Sequence, residues 1–328
     1  SSFEFKTFQN INPLSIQLKL KDPEKVLLFG RDPELEQLEQ FVTSNKKKSK
    51  LILIHGNAGV GKSEFINNFL DQFENQNVIR LKSENHRGNT NFESCALIDC
   101  LDQLIYEWKQ ESGLAKIVKN FIFENYGSAI PFIADLLPEL KDLLEIDDRQ
   151  TSNTYIEFNE NFTEIIVNLL KELSGLSKQI FFSIDDAQHI DKGSINFIKN
   201  CLHDNGISNI IWVLSFRSDE YETPNLLLRN FEKPLTSNNY LQTEIKLSGL
   251  NTNDIENYCN KNYNIEDESK LILSELLFQF TAGNPFFINE AIQYFMEIEL
   301  LVFVEEQAQY KYNITALKKI NASSDIYC

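Results

Sequence analysis

A stretch of eight residues, GNAGVGKS, combines the residue types that proteins use to bind phosphate. It runs from Gly56 to Ser63 and follows a short apolar segment. Successive backbone N–H groups can turn inward around a phosphate only where side chains leave room, which is why such loops contain glycine. A helix that begins near Lys62 would also point the positive end of its dipole at the phosphate. The spacing GxxxxGK[ST] therefore predicts a phosphate-binding loop in which Lys62 reaches the β- and γ-phosphates and the Ser63 hydroxyl binds Mg²⁺.

Two neighbouring carboxylates follow a second apolar segment, in the sequence QIFFSIDD. A metal on a bound polyphosphate needs a carboxylate from an adjacent strand, and Asp185 is expected to supply it, directly or through water. Asp186 is a candidate to orient or deprotonate the attacking water. Taken alone, two acidic residues at a strand end more often form a helix cap or belong to a loop. The nearby glycine-rich loop favours the metal and water roles.

A third apolar segment ends in Ser215 and Arg217. The carboxyl ends of parallel strands meet at one edge of a sheet, so this tip is expected beside the γ-phosphate. Arg217 is a candidate to sense that phosphate or to stabilise charge on it. The alternative, left open by the sequence, is that Arg217 pairs with Asp219 or Glu220. The chain has no NKxD-like sequence of the kind that reads guanine, which favours ATP over GTP.

The elements that must position these residues alternate between strands and helices. Near-continuous apolar runs are typical of strands covered on both faces, and they occur at residues 51–55, 179–186 and 209–220. A further strand is predicted at residues 77–83, and helical patterns fill most of residues 90–175. The alternation predicts an α/β fold, a P-loop NTPase with a parallel sheet flanked by helices.

The pattern changes after residue 250. Three helices without intervening strands are predicted at residues 252–263, 268–283 and 285–301, followed by a small hairpin and another helix. We interpret the three helices as an all-helical lid domain and the last stretch as the start of a winged-helix segment. The predicted units are an N-terminal extension (1–25), a P-loop core (26–245), the lid (246–300) and the winged-helix start (301–328).

Composition narrows the classes of function. The chain has 328 residues, of which 42% are hydrophobic, and its net charge of −17 argues against a broad nucleic-acid interface. No run of eighteen or more apolar residues occurs, so no membrane span is predicted. Five scattered cysteines without a CxxC pair suggest neither a zinc site nor a disulfide framework. They favour a reducing, cytoplasmic compartment.

In combination, these motifs resemble those of STAND-class ATPases, relatives of AAA+ proteins that act as signal-transduction switches. The segments FGRDPELEQL, GNAGVGKS, FFSIDDAQHID, VLSFRSDE and FTAGNPFFINEAI occur in the order seen in that class. The resemblance covers about residues 26–326 and is to the ATPase module of large multidomain regulators. It implies that ATP or ADP and Mg²⁺ are the ligands.

The resemblance also implies roles for individual residues. Gly30 and Arg31 match an element near the adenine pocket, and Pro285 matches a proline that packs near the base from the helical domain. Motif and resemblance together give the predicted nucleotide-binding set: Gly30, Arg31, Gly56, Asn57, Ala58, Gly59, Val60, Gly61, Lys62, Ser63, Glu64 and Pro285. The predicted metal ligands are Ser63 and Asp185, and the predicted catalytic residues are Lys62, Asp186 and Arg217.

These observations predict an ATP-binding switch module with weak, Mg²⁺-dependent hydrolysis, in which the nucleotide state controls the arrangement of core and lid. Asp186 stands where fast AAA+ hydrolases carry glutamate, and its side chain is one methylene shorter, so slow hydrolysis is expected. The expected partners are other proteins or fused sensor and effector domains, and a second copy of the chain in a homo-oligomer is a further candidate. Two alternatives stay open: a nucleotide-bound adaptor that does not hydrolyse ATP, and an initiator-like, DNA-associated AAA+ ATPase, against which the net charge argues.

Overall fold

A five-stranded parallel sheet forms the centre of the molecule. The computed structural model describes residues 28–44, 48–73, 78–84, 95–146, 160–176, 178–218, 231, 239–307 and 309–313. The strands are β1 (Lys50–Gly56), β2 (Val78–Glu84), β3 (Gln179–Asp185), β4 (Ile210–Arg217) and β5 (Leu241–Lys246). Their order in the sheet is β2-β3-β4-β1-β5, with every neighbouring pair parallel. The predicted α/β fold with a parallel sheet is confirmed.

Helices cover both faces of this sheet. They are α1 (Asp32–Thr43), α2 (Lys62–Asp71), α3 (Cys95–Gln110), α4 (Ser112–Tyr126), α5 (Ile130–Leu136), α6 (Pro138–Leu143), α7 (Glu160–Leu173) and α8 (Lys192–His203). Successive strand residues point to opposite faces, so Phe182 and Trp212 belong to the core under α3 to α8, while Phe181 belongs to the core under α1 and α2. Phe182 and Trp212 stack with their ring centroids 4.3 Å apart.

Two details of the sequence-based expectation are corrected. The sequence predicts helical structure through most of residues 90–175, but Leu137 is extended and separates α5 from α6. Proline disfavours helical geometry in the residue before it, and Pro138 therefore starts a new helix. The edge strand β5 was not expected, because only Ile245 of its six residues is buried and it lacks an apolar run.

A separate helical unit follows the sheet. It contains α9 (Thr252–Tyr263), α10 (Asp267–Thr281) and α11 (Pro285–Glu297), and then the antiparallel hairpin of β6 (Leu301–Val304) and β7 (Gln309–Tyr312). Ile255, Leu277 and Ile288 belong to a hydrophobic core of its own. We call α9 to α11 the helical unit. The helix expected after the hairpin, like the N-terminal extension, lies outside the described residues.

Among the described residues, no single helix is both long and apolar enough to cross a membrane. One bent pair, Ser269–Thr281 with Pro285–Glu297, reaches that length and composition only jointly, across a bend of 120°.

The turn between α10 and α11 depends on Gly283. Its φ is +76°, and a Cβ there would lie 2.0 Å from the carbonyl oxygen of Leu250. The two residues are also hydrogen bonded, because Leu250 N donates to Gly283 O at 2.7 Å. The turn and the chain that leaves β5 therefore approach each other more closely than any side chain would allow.

We expect Gly283→Ala to destabilise the protein more than Gly175→Ala does. Both glycines have positive φ, but a Cβ at Gly175 would meet nothing within 4 Å. The control therefore carries only the backbone strain, whereas Gly283→Ala adds a collision with backbone atoms, worth about 1–3 kcal/mol. Urea unfolding measures the difference, and equal losses of unfolding free energy in the two variants would contradict the contact.

Candidate functional site

The loop between β1 and α2 is held in place through its carbonyl groups. Three consecutive carbonyls accept hydrogen bonds from outside the loop: Ala58 O from Asn284 Nδ2 (2.8 Å), Gly59 O from Phe286 N (3.3 Å) and Val60 O from Arg31 Nη2 (3.4 Å). In a trans peptide the N–H points away from the C=O. The amides that follow these carbonyls, those of Gly59, Val60 and Gly61, therefore point away from the outside partners, and Val60 N donates within the loop to Asn57 O at 3.4 Å. An inward turn of the Gly59 and Gly61 amides is what a phosphate cradle requires.

The glycines of this loop serve more than one purpose. Gly59 and Gly61 have φ of +76° and +94°, and a Cβ at Gly61 would meet nothing within 4 Å. A Cβ at Gly59 would instead lie 2.8 Å from the Cβ of Phe286, and one at Gly56 would lie 2.4 Å from Leu247 O. The sequence predicts these glycines from the curvature of the loop. The close approach of other segments of the same chain is a second reason for glycine here, and the sequence did not show it.

Lys62 places its ammonium group at the mouth of the loop. The side chain is 8% exposed, and Nζ donates to Gly56 O at 2.9 Å and to Asn57 O at 3.1 Å. Lys62 is also the first residue of α2, so its charge and the positive end of the helix dipole lie together. Glu64, by contrast, forms a hydrogen bond within α2: its Oε1 accepts from Asn68 Nδ2 at 2.8 Å.

Asp185 joins three elements at the carboxyl edge of the sheet. Its Oδ2 accepts a hydrogen bond from the Ser63 hydroxyl at the start of α2. Its Oδ1 accepts one from the Ser215 hydroxyl of β4 and another from Asp186 N at 3.0 Å. The structure thus brings together Ser63 and Asp185, the two predicted metal ligands. The part played by Ser215 was missed, since only the strand order places it beside Asp185.

Asp186 and Arg217 lie beside this carboxylate and contact each other. Arg217 Nε is 3.4 Å from Asp186 Oδ1, and both side chains are 39% exposed. Gln188 connects them: its Nε2 donates to Asp186 Oδ1 at 2.8 Å, and its Oε1 accepts from Arg217 N at 3.2 Å. Asp186 has a φ of +51°, which turns the chain sharply after β3. Asp219 and Glu220, the alternative partners of Arg217, lie outside the described residues.

Arg31 connects the loop to the chain that leaves β5. Its guanidinium is 5% exposed and donates to Val60 O and to Ser248 O. Burial lowers the pKa of Arg31, and the nearby carboxylates of Glu34 and Asp254 partly offset this. The predicted adenine-pocket element therefore also supports the loop.

Gly30 and Pro285 bring the helical unit to the same place. Gly30 has a φ of +61°, and a Cβ there would lie 2.2 Å from the Asp254 carboxylate of α9. Pro285 is the first residue of α11, and the Asn284 side chain caps that helix by accepting from Phe286 N at 3.1 Å. The packing of Pro285 against a base stays a prediction.

The residues of this site fit a magnesium-bound polyphosphate. The ammonium of Lys62, the amides of the glycine-rich loop and the start of α2 supply positive charge for phosphate oxygens. Ser63 and Asp185 supply hard oxygen ligands, and Mg²⁺ typically takes one or two protein groups together with phosphates and water. Within the described ranges, no group of three or more His, Cys, Asp or Glu residues could hold a metal.

Comparisons with known proteins identify the family of the chain. A family model described as an AAA ATPase domain matches residues 27–213. Human adenylate cyclase type 10 is 22% identical over an alignment of 314 positions, which covers 90% of this chain and 18% of that protein. The chain therefore spans less than a fifth of the length of this relative.

Two solved structures are also similar to the chain. A signal transduction ATPase with numerous domains (STAND) and a tetratricopeptide repeat sensor, from Pyrococcus horikoshii, has a TM-score of 0.40 and 14% identity, with 81% of this chain and 30% of that chain covered. A Walker-type ATPase of Pyrococcus abyssi has a TM-score of 0.46 and 17% identity, with 80% of this chain and 65% of that chain covered.

Proposed function

Because the chain belongs to the AAA ATPase domain family, we propose that it binds ATP with Mg²⁺, hydrolyses it slowly and acts as a STAND-type switch module. One observation carries the proposal: Lys62, Ser63 and Asp185 converge on a loop whose carbonyls at Ala58, Gly59 and Val60 are held from outside. A direct test is calorimetric titration with ATP, ADP and GTP, with and without Mg²⁺. We expect ATP and ADP to bind more tightly than GTP, and failure of ATP to bind at millimolar concentration would contradict the proposal.

The phosphate end of the nucleotide would lie in the loop between β1 and α2. Lys62 Nζ, which donates to Gly56 O and Asn57 O, would turn to the β- and γ-phosphates. Charge-assisted hydrogen bonds to phosphate oxygens are stronger than those to neutral carbonyls, so the exchange is favourable. Bound Mg²⁺ would neutralise charge on the phosphates, and Ser63 and Asp185 are the residues that would hold it.

Hydrolysis would rely on Asp186 and Arg217. Asp186 is the side chain that would orient or deprotonate the attacking water, and Arg217 would move to the γ-phosphate. Their contact at 3.4 Å supports these roles, because it places both groups at the carboxyl edge of the sheet. Gln188 would keep its hydrogen bond to Asp186 when Arg217 leaves.

The helical unit would respond to the nucleotide through α11. Asn284 and Phe286 donate to two carbonyls of the phosphate loop, and Gly283 contacts the chain that leaves β5. A ligand can shift the arrangement of two units only if it contacts them differently in two states. The hydrogen bonds from the start of α11 to the loop support this proposal, because a ligand that enters the loop would lie beside both units. We propose that sensor and effector domains, or proteins joined to the module, respond to this change.

We expect Asp186→Asn to reduce the turnover of ATP by about tenfold to a thousandfold, with little change in nucleotide affinity. Asparagine keeps the shape and the hydrogen bond from Gln188 but cannot take a proton, and general-base catalysis is typically worth about 10²–10⁴-fold. Phosphate release under saturating ATP measures turnover, and titration measures affinity. An unchanged, flat release of phosphate in both proteins would instead favour the adaptor that does not hydrolyse ATP.

A further inference from the structure

We propose that Ser215 is a positioning residue for the metal site, because its hydroxyl determines which oxygen of Asp185 faces the metal. This inference rests on the proposed function, since it concerns the Mg²⁺ that accompanies the nucleotide. Ser215 itself would touch neither the metal nor the nucleotide. It would act through the Asp185 carboxylate.

The position of Ser215 follows from strand pairing. Ile184 of β3 and Leu214 of β4 are paired in register, so the residues that follow them, Asp185 and Ser215, lie side by side. On its other side Ser215 is paired with Ile54 of β1. The side chain of Ser215 is fully buried. A buried hydroxyl without a partner is costly, so the hydrogen bond from Ser215 to Asp185 is strongly favoured.

The hydrogen bonds of Asp185 divide its two oxygens between two tasks. Oδ1 accepts from Ser215 Oγ and from Asp186 N, so both of its lone-pair directions are used by the protein. Oδ2 accepts from Ser63 Oγ, the other predicted metal ligand. The carboxylate is therefore fixed with Oδ2 toward the metal position. Partners that orient a metal-binding carboxylate in this way typically change metal affinity by about 10–100-fold when they are removed.

The test measures nucleotide affinity and does not depend on hydrolysis. A fluorescent N-methylanthraniloyl-ADP is titrated in EDTA and again in MgCl₂, and the ratio of the two affinities gives the gain due to the metal. We expect Ser215→Ala to reduce that gain by about tenfold and to leave the affinity in EDTA unchanged. Ser215→Cys keeps a similar size and a weaker donor, so it is expected to lose part of the gain and serves if the alanine variant does not fold.

Ser183→Ala is the matched control. Ser183 lies on β3, two residues before Asp185, and is 1% exposed. Its loss removes another buried hydroxyl from the same sheet, and the metal-dependent gain should stay at the wild-type level. A double-mutant cycle adds the specific readout: in the background of Asp185→Asn, Ser215→Ala should change nothing further.

The outcomes separate this inference from the proposed function. A Ser215→Ala protein with the full metal-dependent gain, or one that loses as much affinity in EDTA as in MgCl₂, would overturn the inference and leave the proposed function in place. Wild-type protein that binds no nucleotide, or binds it with no gain from Mg²⁺, would overturn both.

Discussion

Lys62→Ala is expected to lower the affinity for ATP by about 100-fold. In the structure its ammonium is nearly buried at the mouth of the loop and donates to two loop carbonyls. Two charge-assisted hydrogen bonds to phosphate oxygens would replace these when ATP binds, and each is worth about 1.5–3 kcal/mol. A loss of about 2.7 kcal/mol corresponds to two factors of ten in the dissociation constant. Calorimetric titration of the purified variant with ATP measures it.

Lys171→Ala is the control for loss of a lysine. Lys171 lies in the last turn of α7 and pairs with Asp204 at 3.2 Å, at the edge of the sheet where the strands begin. Its removal should leave ATP affinity at the wild-type value. If Lys62→Ala and Lys171→Ala bound ATP equally well, phosphate binding at this loop would be refuted.

The second large effect is expected from Asp185→Asn. The substitution keeps the shape of the side chain but removes the negative charge that would face Mg²⁺, and its amide can no longer accept on both sides from Ser63 and Ser215. Turnover should fall by about 100-fold, and the dependence of nucleotide affinity on Mg²⁺ should disappear. Phosphate release and nucleotide titration over a series of MgCl₂ concentrations measure the two quantities.

Asp191→Asn is the matched control for this variant. Asp191 also accepts from a backbone amide and a hydroxyl, both of Ser194, where it caps α8. Asparagine is as good a helix N-cap as aspartate, so this substitution is expected to change the free energy of unfolding little and to leave the response to Mg²⁺ intact. A wild-type response to Mg²⁺ in Asp185→Asn would show that this carboxylate does not serve the metal.

Most of the fold could be predicted from the sequence because the relevant information is local. Each apolar run, at β1, β3 and β4, lies within a few consecutive residues. Each amphipathic pattern lies within the few turns of one helix. The edge strand β5 lacked such a pattern, because among the described strands it pairs with β1 alone, and polar residues are tolerated at an edge. The division between α5 and α6 depended on one proline in an otherwise continuous helical pattern.

The candidate site could be predicted only in part, for a physical reason. Lys62 and Ser63 belong to one motif of fixed spacing, and Asp185 could be placed beside them because parallel strands end at one edge. The contacts of Ser215 and Gln188 required the strand order and the turn after β3. The hydrogen bond from Asn284 to Ala58 joins residues 226 positions apart, and no local pattern encodes such a pair.

The three occupied carbonyls of the phosphate loop also affect how binding would respond to distant changes. A loop that is already held in its binding shape loses little conformational entropy when a ligand enters, so more of the contact energy appears as affinity. Two of those carbonyls are held from the start of α11, by Asn284 and Phe286. Lengthening the turn before α11 by one residue would therefore keep every residue that is proposed to contact the phosphate. It would nevertheless weaken phosphate binding, because the loop would no longer be preorganised.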